Sequence, residues 1–185
     1  MLCRRFHKRL QEDSHARHTC DAAVCDHRDG RVDACQSCQL VFVSSSLGFE
    51  HRTTLANDVT SVSNLRGPSV TTDTACSSSM AALHLACETI RSSSNKTRCA
   101  LVGGTSLILA PDDSCGLNAL GFLSPDSRCH SFDSRANGYA RGDGLCVLVV
   151  KHIDDAIRDG DPIRAVIRAT GLNQDGKVRP ITSTH

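Results

Sequence analysis

Cys76 stands in the run Asp73-Thr74-Ala75-Cys76-Ser77-Ser78-Ser79, between a short extended segment, Ser69 to Thr72, and a mostly apolar stretch from Ser77 to about Arg91. A thiol where a strand turns into a helix has a defined chemistry. The first backbone N–H groups of a helix lack intrahelical partners, and the helix dipole places partial positive charge there. Both effects stabilise a thiolate and make the nucleophile available near neutral pH. The same N–H groups can bind the oxyanion formed when a thiolate attacks a thioester. The hydroxyls of Ser77, Ser78 and Ser79 are placed to satisfy the helix start. The competing reading is a buried, inert thiol, an ordinary fate in a chain with 11 cysteines. Spacing alone leaves the two level.

A second cluster lies near the N-terminus. Cys20, Cys25, Cys35 and Cys38 are accompanied by His18 and His27. The Cys35-x-x-Cys38 spacing suits zinc, and four thiolates could complete a tetrahedral site as a small binding module. The first pair is separated by four residues and the connecting loop is short, so unpaired cysteines are the expected state and no metal site is assigned. A serine hydrolase is disfavoured because no Gly-x-Ser-x-Gly elbow occurs. Gly138, Gly142 and Gly144 do not form a dinucleotide fingerprint, and no phosphate-cradling Walker loop is present.

The elements that must position Cys76 can be read in outline. Hydrophobic residues make up 39% of the 185 and aromatic residues only 3%, so the core must pack Ala, Val, Leu and Ile, as layered α/β proteins do. Residues 1–45 are polar and read as a poorly organised extension; 46–185 read as the folded domain. Ser77 to Arg91 carries apolar residues around most of its circumference, which predicts a buried helix. Cys99 to Val102, ending at Gly103-Gly104, predicts a buried strand. Leu145 to Lys151 is nearly continuous in apolar residues, as in a strand covered on both faces. Asp154 to Arg158 predicts a short helix stopped by Gly160-Asp161-Pro162. Ile163 to Thr170 alternates and predicts a strand near a sheet edge.

Net charge is +1, which supplies no field to attract nucleic acid or an anionic membrane. The basic start, Arg4-Arg5-Phe6-His7-Lys8-Arg9, is followed by Glu12 and Asp13 rather than by an apolar run, so no secretory signal is read. No apolar run is long enough to span a bilayer. A soluble, cytoplasmic chain is expected.

The segment Asn64-Leu65-Arg66-Gly67-Pro68-Ser69-Val70-Thr71-Thr72-Asp73-Thr74-Ala75-Cys76-Ser77-Ser78-Ser79-Met80-Ala81-Ala82-Leu83-His84-Leu85-Ala86-Cys87 resembles the active-site block of the β-ketoacyl synthase (ketosynthase) domains of polyketide synthases. Three further blocks follow in the family's order: Leu101 to Ser106, the long loop Phe122 to Gly144, and Asp154 to Ile163 with Asn173-Gln174-Asp175-Gly176-Lys177. The resemblance implies a thiolase-like layered αβα fold, of which this chain holds about one half of the usual duplicated arrangement. It implies that Cys76 is the catalytic acyl carrier and nucleophile in a decarboxylative Claisen condensation. It also implies acyl and malonyl-type thioesters delivered on the phosphopantetheine of acyl carrier protein, no bound cofactor, and a homodimer as the usual assembly.

The family's two histidines belong to a His-Gly-Thr-Gly-Thr block and a Gly-His block, and neither occurs here. His185 lacks the Gly-Thr-Gly-Thr continuation. His84 reads as a packing residue and His130 as a solvent-exposed loop residue. Asp58 and Ser61 replace a basic and an aromatic residue in the approach to the active site. The expectation is a truncated domain that forms an acyl-cysteine and does not condense alone, with a non-catalytic remnant that binds carrier protein or a partner subunit as the alternative.

Overall fold

The computed structural model describes residues 22–25, 39–44, 55–92 and 97–177. Among these, six strands form one mixed sheet: β1 (Ala22–Cys25), β2 (Gln39–Ser44), β3 (Ser69–Thr71), β4 (Cys99–Ser106), β5 (Gly144–His152) and β6 (Ile163–Ile167), in the spatial order β3-β2-β4-β5-β1-β6. β2 runs parallel to β3 and β4, whereas β5 is antiparallel to β4 and β1, and β1 is antiparallel to β6. The helices are α1 (Leu55–Val62), α2 (Ser78–Arg91), α3 (Pro111–Ala119) and α4 (Ile153–Arg158).

Alternation along the strands sorts the layers. Ala22, Ala100, Val102 and Val150 meet Ala82, Ala86, Cys87 and Ile90 of α2 on one face. On the other, Cys99 packs with Ala56 of α1 and with Leu65, and Ala23 and Cys25 pack with Ile153, Ala156 and Ile163 around α4. The result is the layered αβα arrangement expected. Alanine dominates the contact between α2 and the sheet, so helix and strands approach closely without aromatic filling. Val150 is fully buried, and a side chain of that size contributes about 2 kcal/mol.

Several expectations need correction. Positions 1–45 supply β1 and β2, and β1 is an interior strand with partners on both sides; the rest of that span lies outside the described residues. α2 is not buried all round. Met80 and Leu85 are exposed because only the face carrying Ala82, Ala86 and Cys87 meets the sheet. β5 is not covered on both faces along its length. Gly144 to Val147 are exposed, while Val149, further along, packs against the cluster of Ala56, Leu65 and Cys99. β6 is an edge strand, as the alternation suggests, but it stops at Ile167 instead of Thr170. There Arg91 donates to the Ile167 and Arg168 carbonyls (3.4 and 2.9 Å), taking over from the ladder.

Two ion-pair clusters hold α4 and the turn after it. Asp155 is buried and receives Arg98 Nε and Arg158 Nη1, each at 2.6 Å. Burial opposes its charge, but the arginines outweigh it and hold the carboxyl below the usual range. Lys151 Nζ donates to Asp159 (2.6 Å) and Asp161 (2.7 Å). Burial works against its charge too, and the two carboxylates reverse that and push the ammonium well above its ordinary value.

Candidate active-site cleft

β3 ends at Thr71, and the chain reaches α2 through a single 3₁₀ turn, Ala75–Ser77. Hydroxyls lock that turn. Ser78 Oγ accepts from the Thr74 N–H (2.7 Å) and donates to the Ala75 carbonyl (2.6 Å). Ser77 Oγ donates to the Thr74 carbonyl (2.9 Å), and Asp73 Oδ1 accepts from the Ala75 N–H (3.0 Å). The serines therefore bind backward into the turn. They do not cap the helix N–H groups ahead of them, as the sequence reading anticipated: Ser77, the residue preceding α2, makes no side-chain cap. Ala75 is held at φ +55°, a left-handed conformation that costs a non-glycine residue energy. The turn so built leaves Cys76 exposed as a free thiol, so it is not buried.

Cys76 borders a cleft of about 660 Å³ between the start of α2, the second half of β4 and the first half of β5. Met80, Leu83, Val102, Leu145 and Leu148 make the walls mostly apolar. Gly104 permits the close approach of helix and strand: a Cβ there would lie 3.3 Å from the Ser79 Cβ. Asp143, at the rim, accepts from the Ile108 N–H at 2.5 Å and ties the loop before β5 to the chain after β4.

That loop is pinned from within. Ser124 N–H donates to the Tyr139 carbonyl (3.0 Å) and Tyr139 N–H to the Phe122 carbonyl (3.1 Å). Gly138 (φ +141°) sits so tightly that a Cβ would stand 2.5 Å from the Ser124 nitrogen. Ser124 is buried, with Asp126 and Asn137 as side-chain partners. Asp126 also meets His130 Nε2 at 2.8 Å, and its carboxyl is held below the usual range, first by Ser124 and then by His130.

His130 is thus not a solvent-exposed loop residue: its side chain is only 13% exposed. His84 Nδ1 lies 2.8 Å from Thr170 Oγ1, in keeping with a packing role. Neither histidine borders the cleft. His185, and Cys20, Cys35, Cys38, His18 and His27 of the N-terminal cluster, lie outside the described residues. Cys25 is buried in β1, and burial, with Asp161 nearby, pushes its thiol up to about 11, a setting that opposes the thiolate a metal requires. Among the described residues no group of three or more His, Cys, Asp or Glu could hold a metal, and no helix is long and apolar enough to cross a membrane.

The sequence reading missed one feature of the cleft. Cys146 borders it together with Cys76, and both thiols are free and exposed. Inside an apolar run it read as core. Its register opposite Gly104, legible only once the two strands are paired, removes the neighbour that would have covered it.

The cleft thus lies at the N-terminal end of a central helix, in αβα layers, with an exposed cysteine on the connecting turn. Comparison gives the family. Residues 12–156 match the β-ketoacyl synthase, N-terminal domain. Compactin diketide synthase mlcB of Penicillium citrinum is 54% identical over 131 residues, 71% of this chain and 5% of that protein. Highly reducing polyketide synthase azaB of Aspergillus niger is 51% identical over 131 residues, with the same two shares. The ketosynthase from module 6 of the bacillaene synthase from Bacillus subtilis 168 superposes with a TM-score of 0.73 at 36% identity, over 80% of this chain and 28% of that one. The chain belongs to the β-ketoacyl synthase N-terminal domain family. It spans about 5% of the length of the curated relatives it matches.

Proposed function

We propose that Cys76 is the acyl-accepting nucleophile of a polyketide-type β-ketoacyl synthase. The observation that carries this reading is an exposed thiol on a locked turn at the N-terminal end of α2, facing an apolar cleft. The thiolate attacks the carbonyl of an acyl thioester carried on phosphopantetheine. The C–S bond to pantetheine breaks, the pantetheine thiolate leaves and takes a proton, and the acyl group stays on Cys76. The hydrogen bonds inside the turn engage the N–H groups of Thr74, Ala75 and Ser78. The Cys76 N–H is not among them and would donate to the oxyanion. Met80, Leu83 and Leu148 would remove the hydrocarbon part of the acyl group from water. Acyl carrier protein is the delivering partner, and a malonyl-type extender is the second substrate.

Loss of carbon dioxide from that extender gives the enolate that would attack the acyl-cysteine. The histidine blocks that serve this step in the family are not among these 185 residues. The chain alone should therefore acylate and not condense. Incubation with an acyl-pantetheine thioester should add one acyl mass to the peptide containing Cys76, and Cys76→Ser should abolish it. No adduct on Cys76 overturns the reading. Added malonyl carrier protein should yield no β-ketoacyl product, and a product from this chain alone overturns the division of steps.

A further inference from the structure

We propose that Asp143 selects the acyl group by charge: its carboxylate at the cleft rim turns anionic thioesters away from Cys76, so that neutral acyl groups load there and a malonyl-type extender does not. The loading consequence rests on the reading of Cys76 as the acyl acceptor; the selection between charged and neutral electrophiles at that thiol does not.

Composition of the cleft is the first argument. Of the described residues that border it, Asp143 brings the one carboxylate, and no lysine, arginine or histidine joins it. The rest are apolar residues, glycines, the hydroxyl residues Ser78, Ser79, Thr105 and Ser106, and two thiols. Apolar walls displace water that would otherwise screen the charge. An entering anion therefore meets a like charge with no cation beside it. Arg141, the nearest basic residue in the chain, donates to Ser114 Oγ (3.2 Å) and does not border the cleft.

Fixation of the charge is the second argument. Asp143 Oδ1 accepts the Ile108 N–H at 2.5 Å, so the carboxylate is anchored to the chain after β4. The loop before it is held as well, by the bonds among Phe122, Ser124 and Tyr139 and by the close fit of Gly138. A charge held in this way does not swing into solvent when an anion approaches. The start of α2 works in the opposite direction, since a helix N-terminus carries about half a positive charge. Hydrogen bonds within the turn already engage the N–H groups of Thr74, Ala75 and Ser78, and the acceptor for Ala75 is the Asp73 carboxylate. The full charge of Asp143 therefore prevails.

The size of the effect follows from the dimensions. A cavity of about 660 Å³ is on the order of 9 Å across, and like unit charges that far apart, near a protein surface, disfavour each other by about fivefold. The effect is thus a ratio between electrophiles and not a loss of reactivity. Asp143→Asn keeps an oxygen for the Ile108 N–H and removes only the charge.

The test alkylates Cys76 in the full chain with iodoacetate, an anion, and with iodoacetamide, its neutral counterpart, and reads both by peptide mass. Mercaptoethanol in the same buffer supplies the ratio for a free thiol. The iodoacetate-to-iodoacetamide rate ratio at Cys76 should lie about fivefold below that reference in the wild type, rise to it in Asp143→Asn and fall again in Asp143→Glu. Asp113→Asn removes the same charge from α3, outside the cleft, and should leave the ratio as in the wild type. A wild-type ratio equal to the reference, or one that Asp143→Asn does not raise, overturns the proposal. These arms need no acyl transfer, so their failure is separable from failure of Cys76 to acylate. In a further arm, malonyl-pantetheine should load Cys76 about fivefold better, relative to an uncharged acyl-pantetheine, in Asp143→Asn than in the wild type. An unchanged ratio there overturns the selection of acyl groups, whereas no adduct from either thioester in any chain overturns the reading of Cys76 and with it the loading consequence.

Discussion

Ala75, at φ +55°, spends conformational energy one residue before Cys76, and the hydroxyls of Ser77 and Ser78 hold it there. Replacing Ser78 by Ala removes the bonds to Thr74 and Ala75 and should cost about 1–2 kcal/mol; denaturant melts would show the loss, and acylation of Cys76 should slow with it. Gly138 is a sharper case. With φ +141° and a would-be Cβ 2.5 Å from the Ser124 nitrogen, Gly138→Ala must displace the loop that ends at the cleft rim, at a cost of at least about 2 kcal/mol. A melt unchanged by that substitution would contradict the geometry. Native alkylation should separate the described cysteines: Cys76, Cys115, Cys129 and Cys146 label in the folded chain, while Cys25, Cys87 and Cys99 label only after unfolding. Of this cleft, the helix that follows Cys76 was legible from residue order. The left-handed Ala75 and the opening beside Cys146 were not, because one depends on bonds closed by side chains and the other on which residues face each other across a ladder.

Among the elements, α4 and the turn after it depend on charge. Asp155→Asn leaves Arg98 and Arg158 without their carboxylate and should destabilise by about 1–3 kcal/mol, the half-exposed arginines recovering part of the loss from water. The sign of its pH dependence follows from the direction of the shift. The folded carboxyl lies below its unfolded value, so its contribution is complete above about pH 5 and is lost as pH falls through about 4 and below. Acid titration of the wild type and Asp155→Asn should therefore show stabilities that converge at low pH. Lys151 acts in the opposite direction: its contribution is present below the ordinary lysine range and fades only in strong alkali. α2, β4, β5, α4 and β6 were all legible because each carries a long apolar pattern or a stop signal. β1 was not, since Ala22-Ala23-Val24-Cys25 is four residues long, has no alternation, and lies among polar residues and cysteines that suggest a metal. α3 was missed for a related reason: it buries no side chain, so no apolar stripe marks it.

At the scale of the whole molecule, apolar surface is left open around the first half of β5 and the start of α2. Leu145, Val147 and Met80 are 69%, 51% and 63% exposed. Leu145 and Val147 alternate with Cys146 and Leu148 and so lie on the face of the sheet away from α2 and Met80; uncovered apolar side chains of this kind favour association. The 185-residue chain should sediment with a concentration-dependent mass, and replacing Leu145 and Val147 by Lys should shift it toward the monomer; a chain monomeric at all concentrations would contradict this. The placement of β1 bears on a different property, the order in which the molecule assembles. Ala22 is paired with His152 on one side and with Ile167 on the other, more than a hundred positions away in each case. A chain emerging from the ribosome makes this strand early and must wait for both partners, carrying an unpaired apolar segment meanwhile. Closing so large a loop slows folding. The last steps of assembly should therefore be docking of β1 on β5 and of β6 on β1, and until they happen β5 is an open edge on which a second copy could pair.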